Sequence, residues 1–171
     1  MPKIVNRVKY IEELATKAAG YFSQHGYAGV GMRGIAEHLG VSKSALYHYF
    51  PTKEALFLAC TQSVMGRVGE TISSTGKSEN EQLSALYTSM KDEFGSEMIL
   101  VLEYLRGKNS QEIAEDAAMQ VALSAFLETI ERIVGADRAV HTLENIIGKL
   151  MLDYLSGGAI AQITGAPNTQ T

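Results

Sequence analysis

Residues 32–53 read MRGIAEHLGVSKSALYHYFPTK, and this stretch decides the fold. Met32, Ile35, Ala36 and Leu39 recur at spacings of three and four, which gives a short helix one apolar face. Gly40 suits the left-handed residue that closes a helix, and Ser42 is placed to cap the next one through its hydroxyl. Ala45, Leu46, Tyr49 and Phe50 outline that second short helix, Lys43 to Tyr49, before Pro51 breaks the pattern. Two short helices around Gly40-Val41-Ser42 describe a helix-turn-helix. Ala36 is small enough for the helices to approach, Gly40 makes the turn, and Leu46 locks the second helix against the first.

In such a motif the second helix enters the major groove of DNA with its N-terminal side chains at base edges. Its exposed face would carry Lys43, Ser44, Ala45 and His48. Lysine donates to guanine O6 or N7, serine contacts several bases, and alanine meets a thymine methyl. Tyr47, His48, Tyr49 and Lys53 suit phosphate contacts, which fix orientation without reading sequence. Tyr47 and Phe50 also fit plain packing roles, and Tyr49 fits either.

Outward from the motif the chain reads as helix throughout. Its 171 residues contain three prolines, Pro2, Pro51 and Pro167, so the strongest helix breaker is missing between the last two. Ile11, Leu14, Ala15, Ala18, Ala19 and Phe22 lay an apolar stripe along a first helix from about Val5 to Gln24, ended by Gly26. After Pro51, Thr52 caps a fourth helix through Leu56, Phe57, Cys60, Val64 and Val68 that fades near Ser73, and Ser73 to Asn80 reads as a loop. Leu83, Leu86, Tyr87, Met90 and Phe94 mark one further helix and Met98 to Leu105 another, with a turn at Gly107 to Ser110. Two long helices, Gln111 to Val134 and Asp137 to Ile163, complete the body, and the tail from Gly165 is expected to be disordered.

Global counts exclude several classes. Hydrophobic residues make up 46 % and charged residues 20 %, ordinary globular usage. One cysteine, Cys60, leaves no internal disulfide framework and no multi-cysteine zinc site, and on an apolar stripe it reads as a buried structural thiol. The chain has no signal-peptide core and no uninterrupted apolar run of membrane-spanning length, so a soluble cytoplasmic protein without membrane contact is expected. The formal net charge of -4 is unusual for a DNA binder, but it is unevenly spread. Residues 1–54 hold seven Lys or Arg against four Glu, and residues 55–171 hold eight against fifteen acids. A basic module is joined to an acidic body.

Enzyme patterns fail. Gly76-Lys77-Ser78 has Thr71 where a phosphate loop needs its earlier glycine, and the Ser74 and Lys77 spacing stands without companion motifs. No Glu-x-x-His pair occurs, so no catalytic residue, metal site or cofactor is expected.

Residues 10–57 resemble the tetracycline-repressor (TetR) family of bacterial transcription regulators. The resemblance rests on Ala18-Ala19, Phe22, Gly26-Tyr27, Met32-Arg33, Ile35-Ala36, Gly40-Val41-Ser42-Lys43, Leu46 to Phe50 and Lys53 to Leu56. It implies an all-α protein: a three-helix helix-turn-helix DNA-binding domain, 1–51, joined to a helical ligand-binding and dimerisation domain, 52–171. It implies a ligand-responsive repressor that binds a pseudo-palindromic double-stranded operator as a homodimer formed by the last two helices. Carried over to this chain, the DNA-facing set is Arg33, Ser42, Lys43, Ser44, Ala45, Tyr47, His48, Tyr49 and Lys53. An unidentified small-molecule effector would meet Tyr87, Met90, Phe94, Met98 and Tyr104, which also suit an ordinary core. One departure stands out: Val30-Gly31 occupies the place where the family usually has a Thr or Ser cap. The competing function is therefore a helical ligand-binding or interaction module that has lost DNA binding.

Overall fold

A computed structural model describes residues 2–71 and 77–158, with side chains described over 7–66 and 77–158. Among these residues there are nine helices and no strand: α1 Pro2–His25, α2 Met32–Leu39, α3 Lys43–Tyr49, α4 Lys53–Thr71, α5 Glu79–Lys91, α6 Phe94–Leu105, α7 Ser110–Ala114, α8 Ala117–Val134 and α9 Ala136–Leu155. The protein is all-α, as the pattern of the sequence predicts. No described helix is long and apolar enough to cross a membrane.

Capping chemistry sets the boundaries in the first third. Gly40 closes α2 at φ 69°, and its N–H and that of Val41 return to the last turn of that helix. The Ser42 hydroxyl accepts the Ala45 N–H at 3.1 Å, and the Thr52 hydroxyl accepts the Ala55 N–H at 3.1 Å. The helix-turn-helix therefore has the expected bounds.

Three boundaries in the body differ from expectation. Leu83 to Phe94 is not one helix: α5 stops at Lys91, and Phe94 opens α6. Gly95 there lies so close to the Tyr154 ring that a Cβ would collide with it. Gln111 to Val134 is also interrupted. The Asp116 carboxylate accepts the N–H groups of Ala118 and Met119 at 3.0 and 3.1 Å, so it caps a new helix, α8, and leaves α7 as a short helix with its own Asn109 capping box. The last helix ends at Leu155, with Gly157 and Gly158 at φ 59° and 82°, instead of continuing through them to Ile163. These glycines stop the helix. Residues 159–163, the tail from Gly165 and residues 73–76 of the expected loop at 73–80 lie outside the described residues, and the loop ends earlier than expected because α5 starts at Glu79.

The contacts divide the chain into two compact units, Met1–Thr71 with Ser96–Phe126, and Ile72–Gly95 with Leu127–Thr171. In the first, Leu14, Ala18 and Phe22 of α1, Ile35 and Ala36 of α2, Leu46 of α3, Leu56, Phe57 and Cys60 of α4, and Leu100 and Tyr104 of α6 share one core. Each large side chain buried there contributes about 1.5–3 kcal/mol. Burial pushes the Cys60 thiol up to about 12, so it stays protonated at neutral pH. In the second unit Leu86, Phe94, Ile130, Val134, Ile146 and Leu150 are buried, and Arg138 grips Glu79 through two hydrogen bonds of 2.8 and 2.7 Å.

Candidate nucleic-acid interface

The candidate surface is built on α3, a helix of seven residues that could not stand alone. Leu46, fully buried, and Phe50 anchor it in the core, and the Ser42 cap fixes its start. With the Leu46 side pointing inward, Ser42, Lys43, Ser44, Tyr47 and His48 are left exposed, while Ala45 and Tyr49 are half-buried. Lys43 lies over the Tyr47 ring at 5.7 Å, placing an ammonium and a phenol side by side. Arg33 projects from α2 with its guanidinium paired to exposed Glu37 at 3.0 Å, one turn along the same helix. Exposed pairs of this kind are worth well under about 1 kcal/mol, so a phosphate can displace the carboxylate.

Two members of the expected set have other partners. Tyr49 packs edge-on against Tyr10 of α1 at 5.5 Å, with the Arg7 guanidinium 5.9 Å from its ring centre. Lys53 is half-buried, and its ammonium donates to the carbonyls of Tyr27 and Val30 at 2.8 and 3.0 Å while lying over the Tyr27 ring. Lys53 thus ties down the turn between α1 and α2. Arg7, near Tyr49, has a basic side chain that sequence reasoning did not single out, although it belongs to the basic surplus of residues 1–54.

At the start of α2 the backbone bears out the missing hydroxyl. Gly31 occupies the N-cap position with extended angles, φ -112° and ψ 159°, and no side chain caps the helix. Its first N–H groups remain available to an anion.

The five effector candidates are divided between the two units. Tyr87, Met90 and Phe94 belong to the second unit, and Met98 and Tyr104 to the first. The Tyr87 hydroxyl donates to Asp153, which also receives Lys149. The bond from Tyr87 and then those from lysine hold the Asp153 carboxyl below its ordinary range. Tyr104 is a core residue: its ring stacks on Phe57 at 4.3 Å, and its hydroxyl donates to Asp116 at 2.7 Å. Met90 and Met98 are half-buried and Phe94 is buried. An open cleft of about 500 Å3 lies between α1 and α4, bordered by Ile11, Thr16, Gln62 and Ser63. None of the five lines it.

Residues 14–60 match the family model described as bacterial regulatory proteins, tetR family. The chain is 38 % identical over 65 residues to the HTH-type transcriptional repressor AcnR of Corynebacterium efficiens, a match covering 38 % of this chain and 35 % of that protein. It is 42 % identical over 52 residues to the HTH-type transcriptional regulator RutR of Escherichia coli, covering 30 % of this chain and 24 % of RutR. Each match thus spans about a third or less of the relative's length. The fold is similar to that of reduced E. coli NemR, with a TM-score of 0.56 at 21 % identity over 90 % of this chain and 88 % of that one. It is also similar to a possible TetR family transcriptional regulator from Streptomyces coelicolor, with a TM-score of 0.51 at 15 % identity over 82 % and 69 % of the two chains.

Proposed function

We propose that the chain, whose residues 14–60 match the tetR family of bacterial regulatory proteins, is a regulator of that family: a sequence-specific DNA-binding transcriptional regulator and a ligand-responsive dimeric repressor. The observation that carries this function is the exposed face of α3, where Lys43, Ser44, Tyr47 and His48 stand free of the core that Leu46 anchors. Lys43, Ser44 and Ala45 would meet bases. Arg33, Ser42, Tyr47, His48 and Tyr49 would meet phosphates or bases at the edges of that contact, and Lys53 would act by holding the turn before α2.

One such helix makes few base contacts, and a two-fold dimer presents two of them to half-sites about 34 Å apart or a multiple of it. Exposed Val140, Leu152 and Leu155 on α9, all in the second unit, support a symmetric interface that involves the last long helix. In this proposal residues 1–51 read DNA and 52–171 dimerise and receive the effector, with Tyr87, Met90, Phe94, Met98 and Tyr104 as its candidate contacts. Effector binding would favour a dimer geometry that no longer fits the operator, which requires different effector affinities in the two states.

The test is the Lys43→Ala/Tyr47→Phe double variant, assayed on a duplex enriched by the wild-type chain from a random pool. Loss of about 1–3 kcal/mol of binding per base contact removed is expected, with relaxed preference at the affected position. Unchanged affinity and sequence preference would remove α3 as the reading surface.

A further inference from the structure

The turn between α1 and α2, residues 26–31, is held by side chains from distant parts of the sequence. The Ala28 N–H donates to Glu103 Oε2 of α6 at 3.0 Å, across 75 positions. Lys53 of α4 takes the carbonyls of Tyr27 and Val30, and the Tyr27 hydroxyl donates to Glu54 Oε1 at 2.9 Å. The Glu103 carboxylate sits close on the turn: Gly26 has φ +75°, and a Cβ there would come 2.6 Å from Oε2. The next residue on α6, Tyr104, is locked by its stack on Phe57 and its bond to Asp116, so the base from which Glu103 reaches is fixed. All of these groups lie in one compact unit.

This turn leads directly into α2, whose N-cap Gly31 has no side chain to set the first turn of the helix. The angle at which α2 starts, and with it the setting of Arg33 and of the uncapped N–H groups, therefore depends on what grips residues 26–31 from outside. A carboxylate accepting a backbone N–H is a charge-assisted bond, stronger than a neutral one. Because the Ala28 N–H is solvent-accessible, water can replace the carboxylate with little loss of stability, but water does not fix direction.

We propose that Glu103 is a positioning residue for DNA binding, whose carboxylate anchors the α1–α2 turn to α6 and so holds α2 in its DNA-competent setting. This role rests on the DNA-binding function proposed above. Glu103 touches no base, so its removal lowers affinity for all sequences and leaves the preferred sequence unchanged.

The test compares the wild-type chain with Glu103→Ala and Glu103→Gln. Amide exchange at Ala28 is followed by NMR without DNA, and affinity is measured on the duplex that the wild type enriches from a random pool. For Glu103→Ala, Ala28 exchange should accelerate and affinity fall by about tenfold, the size of one lost charge-assisted hydrogen bond. Glutamine still offers an oxygen acceptor, so Glu103→Gln should recover most of both effects. Wild-type affinity in Glu103→Ala, a loss of affinity without faster Ala28 exchange, a changed preferred sequence, or failure of glutamine to recover either effect would each overturn the role. If the wild type enriches no sequence, the DNA-binding function itself fails and this role falls with it. Wild-type binding with an indifferent Glu103→Ala overturns the positioning role alone.

Discussion

Asp116 shows how one side chain can hold several elements. Its carboxylate caps α8 and receives Tyr104 and Lys108, while its own burial is severe. Burial pushes its pKa up, but the bonds from Lys108, Tyr104 and the Met119 N–H outweigh it, leaving the group below the ordinary carboxylate range. A depressed folded value contributes stability that is complete above the unfolded pKa, about 3.9, and is lost as pH falls through the folded value. Asp116→Asn should therefore destabilise the protein by about 1–3 kcal/mol at neutral pH. In urea unfolding at a series of pH values, that difference should shrink once the wild-type carboxyl is protonated. A difference independent of pH would assign the loss to packing and not to charge. Leu46→Ala is of another kind, since the side chain is fully buried between helices. It should cost about 2–5 kcal/mol, read by chemical denaturation, through lost burial and the cavity left behind.

Among the elements, the two glycines that flank α2 make opposite predictions. Gly40 closes the helix at φ 69°, where a side chain is strained, so Gly40→Ala should destabilise by about 1–2 kcal/mol in thermal or urea unfolding. Gly31 has extended angles, and a Cβ there meets nothing within 4 Å. Gly31→Ser should thus supply the missing cap, stabilise the protein by a few tenths of a kcal/mol and tighten DNA binding by adding a hydroxyl beside the phosphate-facing N–H groups. Weaker binding by Gly31→Ser in a direct titration would show that the bare backbone is needed there.

The bounds of α2 and α3 were legible because Gly40, Ser42 and Pro51 act on their immediate neighbours. The interruptions before α6 and α8 were not. Apolar spacing runs across both, and the break depends on what Gly95 meets on α9 and on which N–H groups Asp116 caps. The same holds for the site: of Lys43, Ser44, Ala45 and His48, which helical spacing places on the outer face of α3, all but half-buried Ala45 are exposed. The bonds of Lys53 to the turn and of Glu103 to Ala28 join residues 23, 26 and 75 positions apart, which no periodicity records.

At the scale of the whole molecule, the net charge of -4 combines a basic segment, residues 1–54, with an acidic remainder. In the proposed dimer both would double, and the basic segments would attract DNA while the acidic remainder repelled it. The surplus of three positive charges in residues 1–54 is small, so in this proposal tight binding would need both copies on one duplex. A variant with exposed Val140 and Leu155 both replaced by Glu should sediment as a monomer and lose most of its affinity for DNA. Retained affinity in a monomeric variant would separate DNA binding from dimerisation.

The most direct measurement is a salt titration of the wild-type chain on the duplex it enriches from a random pool, beside a shuffled duplex of the same composition. Log affinity should fall linearly with log salt, with a slope of about -0.9 per phosphate neutralised. The enriched duplex should bind about a thousandfold or more tightly than the shuffled one. Equal affinity for the two duplexes with no response to salt would contradict the account.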